Sequence, residues 1–150
     1  MNLARGWPLL FLLTACTTVR RDPELRARGS IEITARLLEV SDAARQRPLY
    51  NHTGVFLYQV LDVRRGELKR GETIRVGHYN PWKPRAQAED KWVRGVGGSL
   101  FALKSGEVHH LALEPNLEEH FMGGVIDPHA DTSTGTVYWA VWTQSAQNDD

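Results

Sequence analysis

Two neighbouring segments with β-strand patterning dominate the middle of the chain. Residues 55–63 are apolar both at alternate positions and between them, with Val55, Leu57, Leu61 and Val63 on one side. A strand that is apolar on both faces is typical of the centre of a sheet. A polar connector that carries two glycines leads to a second strand around residues 74–76. We expect these two strands to organise the fold.

Three further segments have strand patterning. Residues 30–40 begin as an alternation of apolar and polar side chains, and the phase then changes at Leu37 and Leu38, which predicts a β-bulge. Helix is the competing assignment for this segment, but no N-cap residue precedes it. Residues 108–114 and 136–143 complete the set.

The pattern predicts an all-β fold of five principal strands with long loops over residues 80–98 and 116–135. Five strands of this length, one of them bent, can close into a small barrel, in which the backbone N–H and C=O groups of the edge strands find partners. An open sandwich is the alternative. The domain is expected to span residues 30–143, followed by a disordered tail over 144–150.

Composition narrows the function classes. The 150 residues are 41% hydrophobic, which is enough for one domain with a core. The 18 basic side chains equal the 18 acidic ones in number, so no large basic field favours binding to nucleic acid.

The amino terminus has the pattern of an export signal. Residues 1–6 carry Arg5, residues 7–13 are apolar but too short to span a bilayer, and residues 13–16 read Leu-Thr-Ala-Cys. This resembles a bacterial lipoprotein signal with its lipobox. The resemblance implies a signal peptide over 1–15 and acylation of Cys16, followed by a charged tether over 16–29. An ordinary secretory signal or a short membrane anchor is the alternative.

Cys16 is the only cysteine, so an intramolecular disulfide is excluded. Two or more acyl chains on Cys16 would give durable attachment to a bilayer. The lipoprotein resemblance implies a location in the bacterial cell envelope. Thr17 after the cysteine favours the outer membrane, facing the periplasm.

The strand and turn pattern also carries a fold-level resemblance. Residues 60–66, Gly71, 74–76 and 103–106 together are similar to the OB-type barrel of netrin-like, or tissue-inhibitor-of-metalloproteinase-like, domains. Those inhibitors chelate the protease metal through a disulfide-linked amino-terminal cysteine. Because Cys16 is expected to be acylated and unpaired, the inhibitory mechanism is not expected here.

Aromatic side chains are the best candidates for binding. Tyr79, Trp82 and Trp92 lie on or in the long loop after the third strand. Exposed aromatic rings bind sugars or protein partners at little cost in side-chain entropy. The alternative is that they close the ends of the barrel.

Titratable side chains offer a second candidate. His120, Asp127 and His129 lie in one loop with three further carboxylates, and imidazole with carboxylate can hold a divalent metal. The alternative is a solvated polar loop. The adjacent His109 and His110 must point to opposite faces of a strand, and one of them is expected to be half-buried.

The favoured function is a non-catalytic binding or accessory module for an envelope protein or a polysaccharide, without a cofactor. No Gly-x-Ser-x-Gly motif is present, and the only cysteine is assigned to lipid. The alternatives are a small metal-dependent or hydrolytic envelope enzyme that uses the 118–131 loop, and a structural subunit of an envelope assembly.

Overall fold

The structure is a computed structural model that describes residues 22–45, 50–132 and 134–146. The predicted signal peptide 1–15, the acylation site Cys16 and residues 147–150 lie outside the described residues. Among the residues that are described, none of the helices is long and apolar enough to cross a membrane.

The described residues form mainly β-strands, which confirms the predicted predominance of β structure. The strands are β1 (Ile31–Glu39), β2 (Thr53–Arg65), β3 (Thr73–Tyr79), β4 (Gly97–Gly98), β5 (Val108–Glu114), β6 (Val125–Ile126) and β7 (Val137–Ser145). The helical elements are α1 (Pro23–Ala27), α2 (Asp42–Arg45) and the single 3-10 turns Arg85–Gln87 and Leu117–Glu119. The five long strands are the five that the pattern predicts.

These strands form one mixed sheet. Its order is β1, β5, β7, β3, β2 and β6, and β4 pairs with β7. β1 also pairs with β2, so the path through the five long strands returns to its first strand. β3 and β7 run parallel, while the other pairs of long strands are antiparallel.

The predicted bulge in β1 is confirmed. Leu37 pairs with Tyr58 and Glu39 pairs with Leu57, so Leu38 is the extra residue and its side chain is 40% exposed. The alternating side chains before the bulge all enter the main core: Ile31, Ile33, Ala35 and Leu37.

The side chains of β2 are buried on both faces of the strand only along its first half. Phe56, Tyr58 and Val60 are fully buried in the main core, and Val55 is buried on the other face. Leu61 is only half-buried, and the strand beyond it alternates with exposed side chains. The prediction that both faces of this strand are buried is therefore wrong for the second half of β2.

The described part of the predicted tether, residues 22–29, packs on the sheet instead of extending from it. Leu25 of α1 is fully buried. Asp22 caps α1 by accepting a hydrogen bond from the Glu24 N–H, and it also accepts one from the Trp142 indole. The guanidinium of Arg65 donates to four backbone carbonyls, those of Leu25, Arg26, Arg28 and Gly29.

The predicted end of the domain also needs a correction. Residues 144 and 145 belong to β7, and the N–H of Ala146 donates to the carbonyl of Val108. The neighbouring strand β5 offers backbone partners to these polar residues, so they are ordered by pairing and not by burial of large side chains.

Candidate functional site

A second apolar cluster lies apart from the main core. Its buried members are Tyr79, Ala88, Val96, Leu117 and Trp139. β3 and β7 supply Tyr79 and Trp139, and the other members come from the two long irregular segments. The two irregular segments therefore pack on the sheet through apolar side chains.

A buried arginine holds the first of these segments in place. The guanidinium of Arg85 donates to the carbonyls of Tyr79 at 2.8 Å, Asn80 at 2.5 Å and Lys83 at 2.9 Å. Burial lowers the pKa of Arg85 to about 10, so the group stays charged at neutral pH. Among the described residues, no carboxylate forms an ion pair with it. The charge is satisfied by carbonyl dipoles of the turn that it closes.

Farther along the same segment, Asp90 accepts four hydrogen bonds. One oxygen accepts from the N–H groups of Trp92 and Val93, and the other from the Tyr79 hydroxyl and the Asn51 amide. Burial opposes ionisation of Asp90, but the hydrogen bonds outweigh it and the pKa lies below its ordinary value. Burial, helped by Asp90, raises the pKa of Tyr79 to about 12.

An aromatic cleft opens beside Asp90, with a volume of about 420 Å³. We use the name aromatic cleft for the space lined by Tyr50, Asn51, Tyr79, Trp92, Phe121 and Gly123. The side chains of Tyr50 and Trp92 are 81% and 74% exposed, although both are large and apolar. Exposed rings that line one shallow surface pocket are typical of a ligand-binding site.

The structure separates the three predicted aromatic candidates. Trp92 forms an exposed wall of the aromatic cleft, with the Lys91 ammonium 4.6 Å from its ring centroid. Tyr79 lines the cleft but is only 2% exposed. Trp82 does not line it and stacks on His52, with ring centroids 5.3 Å apart.

Sequence reasoning missed Tyr50, Asn51 and Phe121. Tyr50 and Asn51 precede β2, whereas Phe121 lies between β5 and β6. The local sequence does not identify these three residues as part of a site, because the packing of distant segments brings them to Tyr79 and Trp92.

The predicted metal candidates do not form one site. Asp127 accepts a hydrogen bond from Arg75 at 2.7 Å, and His129 lies 3.6 Å from Glu39. His120 is exposed at the end of the second 3-10 turn. Across the part of the chain that the structure describes, no three His, Cys, Asp or Glu side chains are placed to hold a metal ion.

Two other cavities, of about 470 and 520 Å³, lie near the start of β3 and share Glu72 and Tyr138 in their walls. The one arginine that lines them, Arg75, is already engaged by Asp127 and by the carbonyl of Gly135. Among the residues that the structure describes, no exposed tryptophan lines either cavity, so the aromatic cleft is the better candidate despite its smaller volume.

A polar chain runs through the main core. The Tyr58 hydroxyl lies 3.0 Å from Nε2 of His78 and 3.0 Å from Nδ1 of His109. Nε2 of His109 is 3.5 Å from a carboxylate oxygen of Glu107, which can only accept. This contact assigns the His109 proton to Nε2; in this assignment Nδ1 of His109 accepts from the Tyr58 hydroxyl, and the Tyr58 oxygen accepts from Nε2 of His78.

Both imidazoles of this chain are neutral. Burial, followed by the nearby charge of Arg85, holds the pKa of His78 well below its usual range. Burial also lowers the pKa of His109, although Glu107 opposes the shift. The prediction that one of His109 and His110 is half-buried is wrong, because both are buried.

Comparison of the chain with protein-family models, with curated proteins and with solved structures gave no match.

Proposed function

We propose that this protein is a lipid-anchored lipoprotein of the bacterial envelope whose β domain is a non-catalytic binding module for a polysaccharide. The observation that carries the proposal is the aromatic cleft, in which Tyr50 and Trp92 stay exposed at the rim of a folded surface. Covering these exposed rings with a ligand removes apolar surface from water, which favours binding.

A sugar suits the chemistry of the aromatic cleft. The C–H faces of a pyranose ring pack on aromatic rings, and its hydroxyls need polar partners at the edge, as Asn51 and the backbone at Gly123 supply. Both oxygens of Asp90 are already engaged by protein donors. The aromatic cleft therefore presents aromatic walls with polar edges, which suits a sugar ring.

The proposed fold is a closed, five-stranded OB-like barrel of the netrin-like type. It is supported by the pairing path that returns from β2 to β1 and by the parallel pair of β3 and β7. OB folds bind oligosaccharides and oligonucleotides beside the loops between strands 1 and 2 and between strands 4 and 5. In this chain those loops carry Tyr50 and Phe121, and the charge balance favours the saccharide.

Trp92→Ala and Tyr50→Ala are each expected to weaken glycan binding about tenfold or more, because each removes one stacking wall. The measurement is isothermal titration of the soluble domain with envelope glycans that a glycan array selects. Phe101→Ala is the matched control, since Phe101 is 79% exposed but lies outside the aromatic cleft. Unchanged affinity in Trp92→Ala, or capture of an envelope protein in place of any glycan, would count against the proposal.

The proposed anchor is tested separately. Cells that express the full chain and are fed a clickable fatty acid should label the wild type, whereas Cys16→Ser should lose all label, because the thiol is the acyl acceptor. Thr17→Ala is the control and should label normally. Equal labelling of Cys16→Ser and the wild type would refute the anchor.

A further inference from the structure

One carboxylate connects the separate chain segments that build the aromatic cleft. Asn51 precedes β2, Tyr79 ends β3, and Trp92 lies in the turn after the first 3-10 turn. Asp90 is bonded to all three, at distances between 2.7 and 2.8 Å.

The two oxygens of Asp90 have different tasks. Oδ1 accepts from the N–H groups of Trp92 at 2.8 Å and Val93 at 2.9 Å, and so closes the turn that projects the indole. Oδ2 accepts from the Asn51 side-chain amide at 2.7 Å and from the Tyr79 hydroxyl at 2.8 Å. One oxygen therefore shapes the Trp92 wall, and the other ties that wall to the segment that carries Tyr50.

We propose that Asp90 is the positioning residue of the aromatic cleft: it sets the separation of the Trp92 wall from the Tyr50 wall through its bond to Asn51, without contacting the ligand itself. The inference rests on the proposed saccharide-binding function. A sugar ring that packs between two walls needs them at a fixed spacing, and ordering them in advance removes an entropic cost from binding.

Exchanging the donor and the acceptor of the Asn51–Asp90 hydrogen bond separates the role of this bond from its effect on general stability. In Asp90→Asn the remaining side-chain oxygen can still accept from the Trp92 and Val93 N–H groups, so the turn survives. Its new amide group then meets Asn51, whose exposed side chain can turn so that Oδ1 accepts from it, and this variant therefore keeps the link between the two residues. Asn51→Asp instead places two carboxylates face to face. The double variant Asp90→Asn/Asn51→Asp restores one donor and one acceptor and keeps the net charge of the chain.

The experiment measures the affinity of the wild type, both single variants and the double variant for the tightest glycan from the array. Asn51→Asp is expected to lose about tenfold or more, whereas Asp90→Asn and the double variant are expected to stay within about threefold of the wild type. Glu89→Gln is the neighbouring control and should bind like the wild type, because Glu89 is exposed and bonds only to the Gly95 N–H within the described residues.

Recovery in the double variant supports the proposal. Wild-type affinity in Asn51→Asp would overturn it, as would a double variant no better than Asn51→Asp.

A readout without ligand distinguishes failure of this inference from failure of the proposed function. Hydrogen exchange followed by NMR should show the Trp92 and Val93 amides protected in the wild type and in Asp90→Asn, but exposed in Asp90→Ala. If no glycan binds the wild type while this exchange pattern holds, the saccharide proposal fails and the role of Asp90 in the turn stands. If exchange is the same in all three proteins, Asp90 does not position the Trp92 wall.

Discussion

Tyr58→Phe is expected to lower the free energy of unfolding by about 2–4 kcal/mol, because its hydroxyl bonds to one nitrogen of each of two buried imidazoles. Phenylalanine fills the same space but leaves His78 Nε2 and His109 Nδ1 without a partner. The measurement is urea denaturation at pH 7.5 followed by circular dichroism. Tyr138→Phe is the control and should cost less than 1 kcal/mol, because Tyr138 is only half-buried. A loss below about 1 kcal/mol in Tyr58→Phe would contradict the bonding assigned to this chain.

The same imidazoles predict the direction of the pH dependence. Their pKa values are lowered in the folded state, so the unfolded chain binds more protons below its histidine pKa of about 6.5. Their contribution to stability is complete above that pH and is lost as the pH falls below it. Each histidine then costs up to about 1.4 kcal/mol between pH 7.5 and 5.5. A wild-type stability that stays flat over this range would show that the imidazoles are not held neutral.

Arg85→Met is expected to lower the free energy of unfolding by about 2–4 kcal/mol and to abolish the proposed glycan binding. It leaves the carbonyls of Tyr79, Asn80 and Lys83 without their donor. The segment that these bonds close also carries Asp90 and Trp92, so the walls of the aromatic cleft lose their support. Urea denaturation and titration with the selected glycan measure the two effects.

Arg85→Lys should fail in the same way, because one ammonium cannot reproduce the fork of a guanidinium toward three carbonyls. Arg94→Met is the matched control, since Arg94 is an exposed arginine of the same loop. Wild-type affinity in Arg85→Met would show that the aromatic cleft does not depend on this turn.

Much of the fold could be read from local pattern. The five long strands and the bulge at Leu38 follow from alternation, because each strand side faces either the core or solvent and the chain records this residue by residue. The burial of Leu25 could not be read in this way. One large apolar residue in a charged segment has no period, and the helix that carries it contacts β5 and β7, more than 80 residues away.

The aromatic cleft was predictable only in part. Trp92 could be predicted from the rule that an exposed tryptophan in a loop is a binding candidate. The same rule selected Tyr79 and Trp82, but Tyr79 is buried and Trp82 stacks on His52, and only their packing distinguishes them from Trp92. The His120, Asp127 and His129 group was suggested by composition, and it is dispersed because Arg75 takes Asp127 as its partner.

The sequence by itself determined the strands, the main core and the pattern at Cys16, since these depend on the order of apolar and polar residues along the chain. Only the tertiary structure decided which aromatic rings share a cleft, which histidines are buried and which carboxylate joins the walls. The physical reason is that a binding surface consists of segments far apart in sequence, and their contacts depend on packing and on hydrogen-bond partners that no local pattern records.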